Sequence, residues 1–272
     1  MTRAPATAKL NLALVVGRPR RDGKHEVTTV LQRLDLADRV GIRPSPTLRV
    51  VGFAQDTLVR GALELLAEAA GVAPRWEARL TKKIPVAAGL AGGSSDAGTA
   101  LRLANATLED PLADVHLREL AGVLGSDVPF FLTQGPQLAE EDGTTLTPLD
   151  LPQDYWVLLV RRDGLGKAST AAVYAAFDER DGGKGYRNRR AALKRALSEV
   201  ERPRDLAFLP PNDLAGSPFA DELLALGAFR AEVTGAGPVV YGLFQHLETA
   251  RAARAALKGR GRIWLTLPAW YG

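Results

Sequence analysis

The chain has 272 residues, with 35 Lys and Arg against 31 Asp and Glu, and no cysteine. Disulfides, zinc–thiolate centres and thiol nucleophiles are thereby excluded, and a net charge of +4 suits an anionic small molecule better than a nucleic-acid backbone. No apolar run is long enough to cross a bilayer, and Met1-Thr2-Arg3-Ala4-Pro5 lacks a signal peptide's apolar core, so a cytoplasmic protein away from membranes is expected.

Leu10, Leu12 and Leu14 alternate with Lys9, Asn11 and Ala13, which predicts a strand with Lys9 and Asn11 on one face. From this stretch alone, water is the expected surrounding of both. A polar loop from Gly17 to Gly23 leads to a second strand from His25 to Gln32, with short strands at 39–43 and 47–51 split by Pro44-Ser45-Pro46. Asp56 is placed to cap a helix from Thr57 to Ala70, stopped by Gly71. Trp76, Ala78 and Leu80 alternate as a strand; helices are expected over 96–105 and from Asp114 to Leu124. Pro148, Asp150, Pro152 and Gln153 mark an interdomain connection, dividing the chain into 1–150 and 151–272. The second part reads as strand 155–160, helices 169–177, 188–199 and 219–226, strands 229–234 and 239–244, helix 247–257 and strand 262–267. With the extra helices set aside, this is a split βαβ order, and the fold class is α+β.

Between the Trp76–Leu80 strand and the helix over 96–105 lies Pro85-Val86-Ala87-Ala88-Gly89-Leu90-Ala91-Gly92-Gly93-Ser94-Ser95. Strand, glycine-rich loop and helix start is the order that presents unpaired N–H groups and positive helix-end charge to a phosphate. Ser94 and Ser95 can cap the helix or donate hydroxyls. No lysine follows Gly93, so this is not a Walker loop, and Gly-x-Gly-x-x-Gly is absent; the near miss at 164–169 places its hydroxyl one residue late. Gly235-Ala236-Gly237-Pro238 reads either as a plain hairpin connection or as a second glycine loop near the same site.

His25, His116 and His246 are scattered and form no zinc motif, and no Gly-x-Ser-x-Gly elbow is present. His116 and His246 read as surface positions. Asp127, between a helix end and Val128-Pro129-Phe130-Phe131, reads either as a turn residue or as a partly buried carboxylate. The basic groups Arg18–Arg21 and Arg187–Arg190 lack interleaved aromatics and read as solvated surface.

Taken together, Pro85–Ala97 and seven further stretches resemble the GHMP kinase superfamily, which groups galactokinase, homoserine kinase, mevalonate kinase and phosphomevalonate kinase. The others are Ala8–Leu12, Asp22–Glu26, Leu34–Asp38, Gly125–Phe130, Ser169–Tyr174, Pro211–Leu214 and Thr234–Pro238, in the family's order across nearly the whole chain. Within it, the resemblance is to the branch acting on a cytidine-diphosphate sugar alcohol. It implies an N-terminal ribosomal-S5-domain-2-like domain, a C-terminal ferredoxin-like domain, and transfer of the ATP γ-phosphate to an alcohol, with Mg²⁺. The resemblance also implies that Asp127 is the base and Lys9 its partner, that Pro85–Ser95 wraps the triphosphate, and that Asn11, Lys24, His25, Thr170 and Tyr174 line the acceptor pocket. Four positions depart from the family: Lys24 for a tyrosine that stacks on cytosine, Thr7 for a proline, Thr57 in an Asp-Asn-Leu near the adenosine, and Ala91 for a loop glycine. At Ala91 the backbone is unstrained only if φ is negative. Rival readings are a sister kinase acting on homoserine or a mevalonate derivative, an inactive nucleotide-binding module, and an RNA-binding protein. Monomer and homodimer both remain open.

Overall fold

The computed structural model describes residues 1–162 and 169–269; residues 164–168 of the near-miss Walker stretch lie outside the described residues. Two long antiparallel strands, β1 (Thr2–Pro19) and β2 (His25–Pro44), form the spine. The expected break before Arg39 does not occur: β2 runs on, and register shifts at Thr7/Ala8 and Asn11/Ala13 absorb the irregularity. Opposite β1, the other edge of β2 is shared by β4 (Trp76–Thr81) along Arg39–Pro44 and β5 (Gln137–Glu141) along Val27–Leu31. The short strand β3 (Arg49–Val51) lies parallel to β4, and β6 (Thr145–Pro148) pairs antiparallel with β5. The β5–β6 hairpin is missing from the sequence expectations, although Asp142-Gly143 at its tip is a strong hairpin signal.

Three helices cover one face of this sheet. They are α1 (Leu58–Ala69), α2 (Gly92–Asn105) and α3 (Asp114–Leu124), and they share a core with Val40, Ile42, Ala78 and Leu80. The stripe Val59, Ala62, Leu63, Leu66 and Ala67 sets the buried side of α1 at helical spacing. As expected, Asp56 serves its start, with Oδ2 accepting the N–H groups of Val59 at 3.0 Å and Arg60 at 3.3 Å. Helix α2 begins four residues before the expected Asp96, because the glycine loop itself supplies the first turn.

A second, wholly antiparallel sheet contains β7 (Trp156–Arg161), β8 (Arg230–Val233), β9 (Val240–Phe244) and β10 (Arg262–Thr266), in the order β10-β7-β9-β8. That is the expected split βαβ unit, with α6 (Pro218–Ala225) and α7 (Leu247–Ala256) as its helices. Two more helices, α4 (Thr170–Glu179) and α5 (Tyr186–Ser198), are inserted after β7. Among the described residues, no helix is long and apolar enough to cross a membrane.

The two sheets meet on β1. Ala8, Leu10 and Leu12 join Val157, Leu159, Tyr241 and Leu243 in one core, and the Tyr241 hydroxyl donates to the Leu12 carbonyl at 3.2 Å. Asp213 ties the strand end down: its N–H donates to Leu14 O, while Oδ2 accepts from Val16 N–H and from Arg189 Nε, each at 2.9 Å. Arg189 is therefore a cross-link and not the solvated cation that its neighbourhood suggested.

Arg230, 5 % exposed on β8, donates to the carbonyls of Leu209 at 2.7 Å and Pro210 at 2.8 Å. Replacing it by Met leaves these buried acceptors unpaired. Arg230→Met is expected to destabilise the fold by about 3 kcal/mol, read by denaturant titration.

Candidate active site

The two glycine stretches face each other across a cleft of about 840 Å³. Pro85, Val86, Ala87, Ala88, Gly89, Ala91, Gly92, Gly93 and Ser94 line it from one side, and Gly235, Ala236 and Gly237 from the other. The β8–β9 connection is thus a second glycine loop at the same site. The approach is close: Gly89 has φ +79°, and a Cβ there would sit 2.5 Å from Thr234 O. Leu90 and Ser95 do not line the cleft. Leu90 is buried in the core between the sheets, with its carbonyl accepting the Lys9 N–H at 3.1 Å.

The loop's local conformation follows from its residues only in part. Ala91 is the N-cap of α2 and lies at φ 52°, ψ 34°, in the left-handed region that glycine occupies without penalty; Ala87 is similar at φ 55°. Neither serine caps the helix. The N–H groups of Gly92, Gly93 and Ser94 precede the first helical hydrogen bond, Ser95 N–H to Ala91 O at 2.9 Å. These donors, at the positive end of a fourteen-residue helix, make an anion cradle.

Under the cradle lies a charged cluster that sequence reasoning missed. Lys82 donates to the carboxylates of Asp38 and Asp96, and Asp38 Oδ1 also accepts the N–H groups of Lys83 and Ile84. Burial alone would lower the Lys82 ammonium, but the two carboxylates outweigh it and raise it. Burial pushes the Asp96 carboxyl up to about 7, against the pull of Lys82. Its Oδ1 and the Ser95 hydroxyl are buried without a protein partner. Part of the signal was available: Lys82 lies three residues before the loop, and Asp38 and Asp96 sit inside two of the stretches quoted above.

At the middle of the cleft, β1 brings Lys9 to Asp127. The ammonium lies 3.4 Å from Asp127 Oδ1 and donates to Asn11 Oδ1 at 2.7 Å; Asn11 Nδ2 in turn donates to Thr29 Oγ1 at 2.8 Å. Lys9 and Asn11 are each 5 % exposed, so the solvated placement expected from the local pattern is wrong. Covering β1 on both faces is what removes them from water, and the relay of partners makes that burial tolerable.

The far end holds the remaining residues. His25 Nε2 is 2.9 Å from Asp178 Oδ1, and its ring lies 4.5 Å from that of Tyr174 on α4. Burial, with Asp127 nearby, pushes the Tyr174 hydroxyl up to about 12. Lys24 reaches from the β1–β2 turn to Asp142 in the β5–β6 turn, Nζ to Oδ2 at 2.6 Å. Burial would raise Asp142, yet the Lys24 ammonium and the Thr144 hydroxyl and N–H hold it down at about 2. Thr170 lines the cleft from the first turn of α4.

The cleft sets the free N–H groups of a helix start beside a paired lysine and carboxylate, and two family models match the chain. That for the GHMP kinases N terminal domain matches residues 57–135, and that for GHMP kinases C terminal matches 218–263. Proteins named 4-diphosphocytidyl-2-C-methyl-D-erythritol kinase are similar along their length. The one from Gloeobacter violaceus is 35 % identical over 94 % of this chain and 90 % of that protein, and the one from Anaeromyxobacter is 41 % identical over 92 % and 84 %. A crystal structure of 4-(cytidine 5'-diphospho)-2C-methyl-D-erythritol kinase superposes with TM-score 0.78 at 34 % identity, covering 98 % of this chain and all of the other. Methanococcus jannaschii mevalonate kinase, 13 % identical with TM-score 0.76 and 98 % of each chain covered, shares the fold. The class is thus that of the two-domain GHMP kinases, ATP-dependent phosphotransferases. Within it, the chain belongs to the 4-diphosphocytidyl-2-C-methyl-D-erythritol kinase family.

Two stability outcomes follow from the loop. Ala91→Gly relieves the left-handed strain and is expected to stabilise the fold by about 0.5 kcal/mol, measured by thermal denaturation. The Asp96 carboxyl binds its proton more tightly folded than unfolded, so its contribution to stability is full below the ordinary value of 3.8 and lost as pH rises towards about 7. Asp96→Asn should flatten that fall in a stability–pH series.

Proposed function

We propose that this protein transfers the γ-phosphate of ATP to the 2-hydroxyl of 4-diphosphocytidyl-2-C-methyl-D-erythritol, the kinase step of the non-mevalonate route to isoprenoids. The observation that carries the proposal is the Lys9–Asp127 pair, 3.4 Å apart and lining one cleft with the glycine loop, in a chain 35–41 % identical to kinases so named. In this reading, residues 1–150 hold the nucleotide and supply the base, and residues 151–272 close the substrate side with Thr170 and Tyr174.

The acceptor is a tertiary alcohol, crowded and barely acidic. Asp127 takes its proton as the oxygen–phosphorus bond forms and the bond to the ADP leaving oxygen breaks. Asp127 is 41 % exposed towards the cleft, which leaves it open to the incoming hydroxyl. Lys9 stabilises the nascent alkoxide, and Asn11 holds the ammonium beside Asp127. The N–H groups of Gly92, Gly93 and Ser94 hold the phosphates.

Magnesium fits this donor set. The unpartnered Asp96 Oδ1 and the Ser94 hydroxyl would hold it, and its chemistry is to draw charge from phosphate oxygens. At the acceptor end, His25, Tyr174 and the aliphatic stem of Lys24 form the base pocket.

ADP release with the cytidylyl alcohol, homoserine and mevalonate tests the assignment; turnover confined to one of the latter two would sink it. Asp127→Asn is expected to lower kcat by about 10²–10⁴-fold with ATP affinity retained, measured by steady-state kinetics and nucleotide titration.

A further inference from the structure

We infer that Arg33 is a positioning residue for phosphoryl transfer, locking the turn that carries Asp127 against the strand that carries Lys9; the inference rests on the roles proposed for those two residues. Arg33 sits on β2 directly opposite Lys9 in the ladder with β1, so two cations share one cross-strand pair. Such a pair repels unless each member has its own acceptors. Lys9 has Asn11 and Asp127. Arg33 has neutral oxygens only, and it is 2 % exposed.

Those oxygens belong to the two elements that must be held together. One terminal nitrogen donates to Thr7 Oγ1 on β1 at 3.0 Å, two residues before Lys9. The other donates to the carbonyls of Phe130 at 2.8 Å and Thr133 at 2.6 Å, at the end of the helical turn that begins just after Asp127. The guanidinium also lies 4.9 Å and 5.3 Å from the ring centroids of Phe130 and Phe131. Burial lowers it to about 10, with Arg102 adding to the effect. Nε lacks a partner.

A buried guanidinium held by carbonyls and a hydroxyl is an expensive cross-link for packing alone, since an apolar side chain would fill the same space with less desolvation. Its geometry supplies what packing does not. A rigid fork spans β1 and the 129–132 turn, fixing the separation of Lys9 and Asp127. Thr7 is the hydroxyl that makes the link to β1 complete. Lysine cannot reproduce the fork, because one ammonium does not reach acceptors on both elements in a single plane.

Arg33→Met, Arg33→Lys and Thr7→Val, alone and in the Asp127→Asn background, test the inference by kcat, by KM for each substrate, and by thermal stability. In the otherwise native enzyme, both Arg33 variants are expected to lose about tenfold or more in kcat with each KM within about twofold, and Thr7→Val about threefold. In Asp127→Asn, none should lower the residual rate further, since a device acting through Asp127 has nothing left to position. Unchanged kcat in folded Arg33 variants, a loss confined to KM, or the same loss with and without Asp127 overturns the inference. If both Arg33 variants fail to fold, Thr7→Val decides, and an unchanged kcat there overturns it. Full turnover by Asp127→Asn alone overturns the proposed base and the positioning role with it.

Discussion

Strand β1 is buried on both faces, and the two faces have different duties. Its even positions, Ala8, Leu10 and Leu12, are the apolar surface on which the two sheets meet. Its odd positions, Thr7, Lys9 and Asn11, carry polar groups into the same interior, each 5 % exposed or less. An ammonium in that position is tolerated only with near neighbours that replace water, and Asn11 and Asp127 do so, with Thr29 holding Asn11 in turn. The hydrophobic contact that joins the halves and the charge that lines the cleft are therefore alternate residues of one strand. A one-residue slip against β2 would exchange them.

The second glycine loop extends this constraint to the first glycine loop across the cleft. Thr234 Oγ1 accepts the Asn11 N–H at 3.2 Å, and the Thr234 carbonyl lies where a side chain on Gly89 would have to go. The loop from the first half, the strand beneath it and the hairpin from the second half are thus one backbone assembly. Left-handed alanines at 87 and 91 are held in place by this surrounding structure, which makes the cradle a product of tertiary packing more than of local preference.

Charge is arranged to match. Beneath the cradle, Lys82 between Asp38 and Asp96 balances one carboxylate and leaves a second that holds its proton up to about pH 7. At the opposite end, Lys24 and Asp142 close the cleft between two turns from different parts of the chain. The Lys24 cation is already engaged, so only its aliphatic stem is left to face the cleft.

Period-two runs at 10–14 and 76–81, the apolar strand at 155–160, the glycine loop with the helix behind it, and the split βαβ order were legible because each is a local pattern of apolar residues or turn chemistry. The eight stretches in order pointed to the family for the same reason. The unbroken β2, the inward turn of Lys9 and Asn11, the pairing of Lys82 with two distant carboxylates and the Arg33 clamp were not. Each depends on which segment covers which face, and residues such as Lys9 and Asp127 or Arg33 and Thr133 are about a hundred positions apart in the chain. Sequence alone determined where the backbone would bend, alternate and expose N–H groups, since those follow from a residue and its near neighbours. Only the tertiary structure decided which polar side chains lie buried and paired, because desolvation is imposed by distant parts of the chain.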